Sequence, residues 1–79
     1  MRLGTTKFTD KRRRELKYDG YVDKEGKACG DGVSTKISDP NVTFKGTYLD
    51  NKYHGLVYMY NAGNGHIGVT EWRNGQEHG

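Results

Sequence analysis

From Tyr18 onward the chain alternates short apolar runs with glycines and Asx-rich pairs. "TYL" (47–49) and "LVYMY" (56–60) are dense in aromatic and branched residues, which suit a pleated, half-buried surface. Strand alternation puts Tyr58 and Tyr60 on one side of the second run, with Val57 and Met59 on the other. Between the runs lies "DNKYHG", whose Asp50-Asn51 pair tolerates the positive φ of a tight hairpin. Asn74-Gly75 repeats that signal. Each such unit reads as a β-hairpin, with "SDPNVT" and "NAGNGH" as connections between hairpins.

Three segments can be superimposed: "YDGYVDKEGKACGDGVSTKI" (18–37), "FKGTYLDNKYHGLVYMY" (44–60) and "GVTEWRNGQEHG" (68–79), the last stopping halfway through the unit. Their closing glycines, Gly30, Gly55 and Gly79, recur at about two dozen residues, as do the central apolar positions Val22, Tyr48 and Trp72. A single hairpin barely persists in water, whereas stacked hairpins bury the rings of one against the next. The expected fold is therefore all-β: about five strands in stacked antiparallel hairpins, one sheet thick.

Residues 1–17 interrupt the pattern. Thr9 or Asp10 is placed to cap a short helix over "KRRREL", with Phe8 and Leu16 as its only anchors. The expectation is a short basic N-terminal arm over 1–17, partly helical or disordered, ahead of a repeat domain over 18–79.

Composition narrows this picture. Seventy-nine residues allow one domain, and 32% hydrophobic content is thin for a multilayered core. Six tyrosines suit a core of ring faces whose hydroxyls find polar partners. The net charge of +3 resides between Lys7 and Lys17, the rest being close to neutral, so attraction to an acidic partner would act mainly there. A single cysteine, Cys29, has no internal disulfide partner, which fits a reducing compartment. No apolar run is long enough for a signal peptide or a membrane span, and the expected location is cytoplasmic.

The unit Tyr/Phe-x-Gly-x-aromatic-x-Asn-Gly-x-x-His-Gly resembles the MORN repeat (membrane occupation and recognition nexus). Phe44, Gly46, Tyr48, His54 and Gly55 match in order, with Asp50-Asn51 in place of Asn-Gly. Trp72, Asn74, Gly75, His78 and Gly79 match the second half, and Tyr18 with Gly20 opens the first unit. Cys29 stands where the family has histidine, Thr70 stands where it has the early glycine, and "HIG" (66–68) is out of register, as a bulge would make it. The resemblance spans about two and a half repeats. It implies a stacked, curved antiparallel sheet serving as a platform for proteins or, in some members, acidic lipid. It also implies a structural role for Gly20, Gly30, Gly46, Gly55, Gly75, His54 and His78.

Chemistry-bearing residues are sparse. Stacking would align His54 with His78 on one edge, but each adjoins a turn glycine and reads as a brace rather than a zinc ligand. Cys29 has no Asn or Asp to orient an activating histidine. "GDG" (30–32) is too short for a phosphate loop. No catalytic residue, metal or cofactor is expected, and an enzyme is the least expected class.

Recognition is the expected work. Tyr48, Tyr58, Tyr60 and Trp72 are read as a ring-lined sheet face for a protein partner, since tyrosine and tryptophan dominate interface hot spots. Arg12, Arg13 and Arg14 are read as a second contact, through residues 7–17, for an acidic protein, a nucleoprotein or acidic lipid. The open end of the sheet near Trp72 is expected to pair with a copy of the chain or to lie against a partner. A small inhibitor encoded by a virus or mobile element, blocking a host enzyme or nucleoprotein, and a peripheral binder of acidic phospholipid are the other readings.

Overall fold

In the computed structural model, which describes residues 2–77, the chain forms one antiparallel sheet of seven strands without a helix. The strands are β1 (Arg2–Thr9), β2 (Glu15–Val22), β3 (Ala28–Lys36), β4 (Val42–Leu49), β5 (Lys52–Asn61), β6 (His66–Arg73) and β7 (Gln76–Glu77). Each pairs with the next in chain order, so the sheet is a run of sequential hairpins. The stacked-hairpin, all-β expectation holds, with seven strands where about five were expected.

The basic arm is corrected. Arg2–Thr9 and Glu15–Val22 form the first hairpin of the sheet, where a helix or disorder was expected. The physical reason lies in period-two burial: Gly4, Thr6 and Phe8 face inward on β1, opposite Gly20, Tyr18 and Leu16 on β2. Leu16 and Tyr18 are fully buried, so the run "ELKYDGYV" is a strand and "KRRR" is its turn.

That turn duplicates the next one. In 10–14 the Asp10 amide donates to the Arg14 carbonyl, and the Asp10 carboxylate accepts from the amides of Arg12 and Arg14. In 23–27 Asp23 does the same with Lys27 and with the amides of Glu25 and Lys27. These amide bonds, that from Lys27 foremost, hold the Asp23 carboxyl below its usual range. Gly26 takes the left-handed position at φ 82°; in the first turn Arg13 takes it at φ 62°.

The repeat is structural as well as sequential. The register shifts between Gly20 and Val22 in the β2–β3 pair, and between Gly46 and Tyr48 in the β4–β5 pair. At each shift three residues on one strand stand against one on the other, and Gly30 (φ 109°) and Gly55 (φ 100°) are the middle residues of those triplets, so two of the closing glycines are bulge residues. The Asp50-Asn51 turn and the Asn74-Gly75 turn both have positive φ at each central residue. Each turn also docks on the preceding hairpin: Asn51 N–H donates to Ala28 C=O, and Gly75 N–H to Tyr53 C=O. No register shift occurs between β5 and β6, so the bulge expected at "HIG" is absent.

The core is the inner face of this single sheet, which curls around its own side chains. Phe8 on β1 and Tyr53 on β5 have ring centroids 6.1 Å apart. A flat sheet would hold strands four places apart about 19 Å from each other. Tyr53 is the hub, its ring also meeting Tyr48, Phe44 and Trp72 at 4.7–5.7 Å. The Tyr18 ring lies over Gly32 so closely that a Cβ there would come within 2.4 Å of it. The resulting radius of gyration, 11.6 Å, matches the roughly 12 Å of a compact domain of this length.

Candidate functional site

The four rings read as one recognition face do not share a face. Tyr48 and Trp72 point inward and are 1% and 5% exposed. The Tyr48 hydroxyl is held by Ser34 Oγ (2.8 Å) and donates to the Phe44 carbonyl (2.6 Å). Tyr58 and Tyr60 point outward and are about half exposed. The reason is register: Tyr48 pairs with inward Tyr53, whereas Tyr58 pairs with Lys45 and Tyr60 with Thr43 on the outer surface. As expected, Val57 lies on the opposite side from Tyr58, buried, and Met59 packs beside the core.

The outer face instead gathers residues that the sequence reading passed over. Register places Val69 beside Tyr58 and Ile67 beside Tyr60, with Leu56 next along β5. All five side chains, Leu56, Tyr58, Tyr60, Ile67 and Val69, are between 45% and 66% exposed. The signal was available: in "HIGVTEW" the odd positions Ile67 and Val69 alternate with inward Gly68 and Thr70. A shallow groove runs beside Tyr58 along β4, walled by Asp31, Val33, Lys45, Thr47 and Leu56 and floored by Gly32 and Gly46. Contiguous apolar surface of this kind marks an interaction site more often than scattered exposed residues do.

The basic cluster divides in a similar way. Arg14 turns inward, its Nε 2.6 Å from the Asp10 carboxylate and its guanidinium 4.6 Å from the centre of the Phe44 ring. Asp10 is almost fully buried and also accepts from the Tyr53 hydroxyl at 3.3 Å. Arg12 crosses to the carboxylate of Glu77 on the last described strand. The first turn is thus a latch that closes the curled sheet over Trp72, Phe44 and Met59. The Trp72 side chain is therefore covered from within the chain. Lys11 and Arg13 remain exposed at the tip, while Lys7 and Lys17 face each other on the outer surface of β1–β2.

Burial raises the three inner tyrosines above the usual phenol range. Tyr18 is pushed up to about 12, first by burial and then by the nearby Cys29 and Asp31. Burial also raises Tyr48, and burial with the Asp10 charge raises Tyr53. Lys27 is raised by its contacts with Asp50 (3.1 Å) and Glu25 (3.3 Å), which tie the 23–27 turn to the next one.

The repeat residues fall where backbone constraint is greatest. Gly20 and Gly46 lie in strands beside the register shifts, Gly30 and Gly55 are the bulge residues, and Gly75 completes a turn. His54 Nδ1 accepts from the Asn74 amide at 3.5 Å, so it braces the following hairpin turn. His78 and Gly79 lie outside the described residues. Among the described residues no three His, Cys, Asp or Glu side chains gather at metal-holding distance, and no helix is long and apolar enough to cross a membrane.

Comparison with protein-family models, with curated proteins and with solved structures returns no match. What the structure shows is a small all-β fold, with the described residues in a single antiparallel sheet of seven strands.

Proposed function

We propose that this chain is a non-enzymatic binding module of MORN-repeat type that takes a protein partner on the outer face of β5 and β6. The observation that carries the reading is the outer patch: Tyr58, Tyr60, Leu56, Ile67 and Val69 lie exposed side by side. The fold has no need of these side chains, since the inner face supplies a complete set of ring contacts. Half-exposed tyrosines amid aliphatic residues form the rigid, amphipathic anchors on which interfaces depend. The MORN reading draws support from the recurring bulge glycines and the rung-to-rung turn contacts. Lys11 and Arg13, exposed at the β1–β2 tip, supply a second, acid-seeking contact that would act chiefly on the rate of encounter.

The test is affinity purification with mass spectrometry, comparing the native chain with Tyr58→Ser/Tyr60→Ser and with Lys11→Glu/Arg13→Glu. The expected result is one protein retained by the native chain, lost with the tyrosine variant and weakened by the tip variant. Retention of the same protein by the tyrosine variant would refute the outer-face reading.

A further inference from the structure

We infer that the cleft between the β1–β2 latch and the turns at 50–51 and 74–75 binds a small organic anion, an apolar ring bearing a carboxylate or a phosphate. The cleft has no lining residue in common with the outer patch of β5 and β6. It shares only Lys11 with the reading above and does not depend on it.

The first argument is shape. The cleft encloses about 340 Å³ and is lined by residues 8–11, 51–53 and 74–76. That volume lies at the lower end of small-molecule sites, with room for one ring and its substituent. The half-buried Phe8 ring meets the Tyr48 and Tyr53 rings edge-on at 6.0 and 6.1 Å, and the rest of it borders the cleft. An aromatic wall of this kind takes the apolar part of a ligand.

The second argument is the balance of donors and acceptors in the lining. Asp10 is the one carboxylate there, and its acceptor positions are taken. Its Oδ1 accepts from the amides of Arg12 and Arg14 at 3.0 and 2.9 Å, and its Oδ2 from Arg14 Nε and the Tyr53 hydroxyl at 2.6 and 3.3 Å. The Arg14 guanidinium also balances its charge. Asn51 Oδ1 accepts from the Ala28 amide at 2.7 Å, so this carboxamide has its NH₂ donors left for the cleft. Lys11 and Lys52 are exposed in the lining, and neither takes part in an ion pair among the described residues. The Lys52 stem lies along the 74–75 turn: a Cβ added at Gly75 would meet its Cδ and Cγ at 3.3 and 3.4 Å. Two ammonium groups and an amide donor are therefore free, while the carboxylate beside them is neutralised. The ligand that complements this lining accepts hydrogen bonds and carries negative charge.

Titration of the isotope-labelled full chain, followed by the NMR shifts of its backbone amides, tests this. The probes are phenyl phosphate, inorganic phosphate and benzyl alcohol. Phenyl phosphate is expected to bind with a Kd of about 1 mM, moving the amides of Thr9, Lys11, Lys52, Gly75 and Gln76 to saturation. Inorganic phosphate, which lacks the ring, should bind at least about fivefold more weakly. Benzyl alcohol, which lacks the charge, should give no saturable shift. Lys11→Glu and Lys52→Glu should each weaken phenyl phosphate about tenfold, and the milder Lys52→Gln about threefold. Lys17→Glu makes the same change in net charge on the outer surface of β2 and should leave the affinity within about twofold. The dispersion of the amide spectrum keeps the comparison to folded protein, and all three lysines are exposed. The inference is overturned by the absence of a saturable shift with phenyl phosphate, by shifts centred outside the cleft, or by equal affinity for inorganic phosphate. A loss with Lys17→Glu as large as that with Lys52→Glu would overturn it too, since net charge and not the cleft would then hold the anion.

Discussion

The two faces of this sheet carry similar residues and opposite physics. On the inner face Tyr18, Tyr48, Tyr53 and Trp72 are almost fully buried, and the three tyrosine hydroxyls have hydrogen-bond partners. On the outer face Tyr58 and Tyr60 are as aromatic but stand half in water. Ring content therefore does not say what a ring does; the side of the pleat decides it. Inner rings hold rung to rung across a sheet with no second layer, whereas outer rings are free to meet another molecule.

Raising the pH should break the inner face most completely. The buried phenols bind their protons more tightly than the unfolded chain does, since an unfolded tyrosine ionises near about 10 and Tyr18 is raised to about 12. Their stabilisation is fully present below about pH 10 and is lost as pH rises through the folded values. Far-UV circular dichroism followed with phenolate absorbance should show the sheet failing as the buried tyrosines ionise. Ionisation of all six tyrosines with the sheet intact would remove the distinction between the faces.

Truncation of one inner ring comes next. Tyr48→Ala or Trp72→Ala should cost about 4 kcal/mol by urea denaturation. A domain of this size has only about 4–12 kcal/mol in all, so either variant is expected to be largely unfolded. Asp10→Ala should cost about 3 kcal/mol in the same assay, because it removes the buried partner of Arg14 and the turn amides together. A loss below about 0.5 kcal/mol would show that the β1–β2 latch is not part of the core. Arg13→Gly should stabilise by about 1 kcal/mol, since glycine adopts φ 62° without strain. Finally, Tyr58→Ser and Tyr60→Ser should each change stability by less than about 0.5 kcal/mol. A large loss from either would move the outer rings into the fold.

Much of the architecture was legible in the chain because its signals are local. Turns at Asp50-Asn51 and Asn74-Gly75 follow from residues that tolerate positive φ, and alternation in "LVYMY" separates Val57 from Tyr58 correctly. The first hairpin was missed because four consecutive basic residues mask its turn. Asp10-Lys11 nevertheless repeats Asp23-Lys24, and both aspartates cap the same loop geometry. The outer patch was only half legible: Tyr58 and Tyr60 were named, whereas Ile67 and Val69 acquire meaning only when β6 is laid beside β5.

The residues by themselves determined the hairpins, their period and their tight turns, since each depends on neighbours within a few positions. How strongly the sheet curls, which turn latches it and which rings are left outside were settled in three dimensions. Those outcomes depend on contacts between strands far apart in the chain, such as Phe8 with Tyr53 and Arg12 with Glu77. Local preference cannot specify such contacts, because a strand's pattern says that it has two faces and not which one the rest of the chain will close upon.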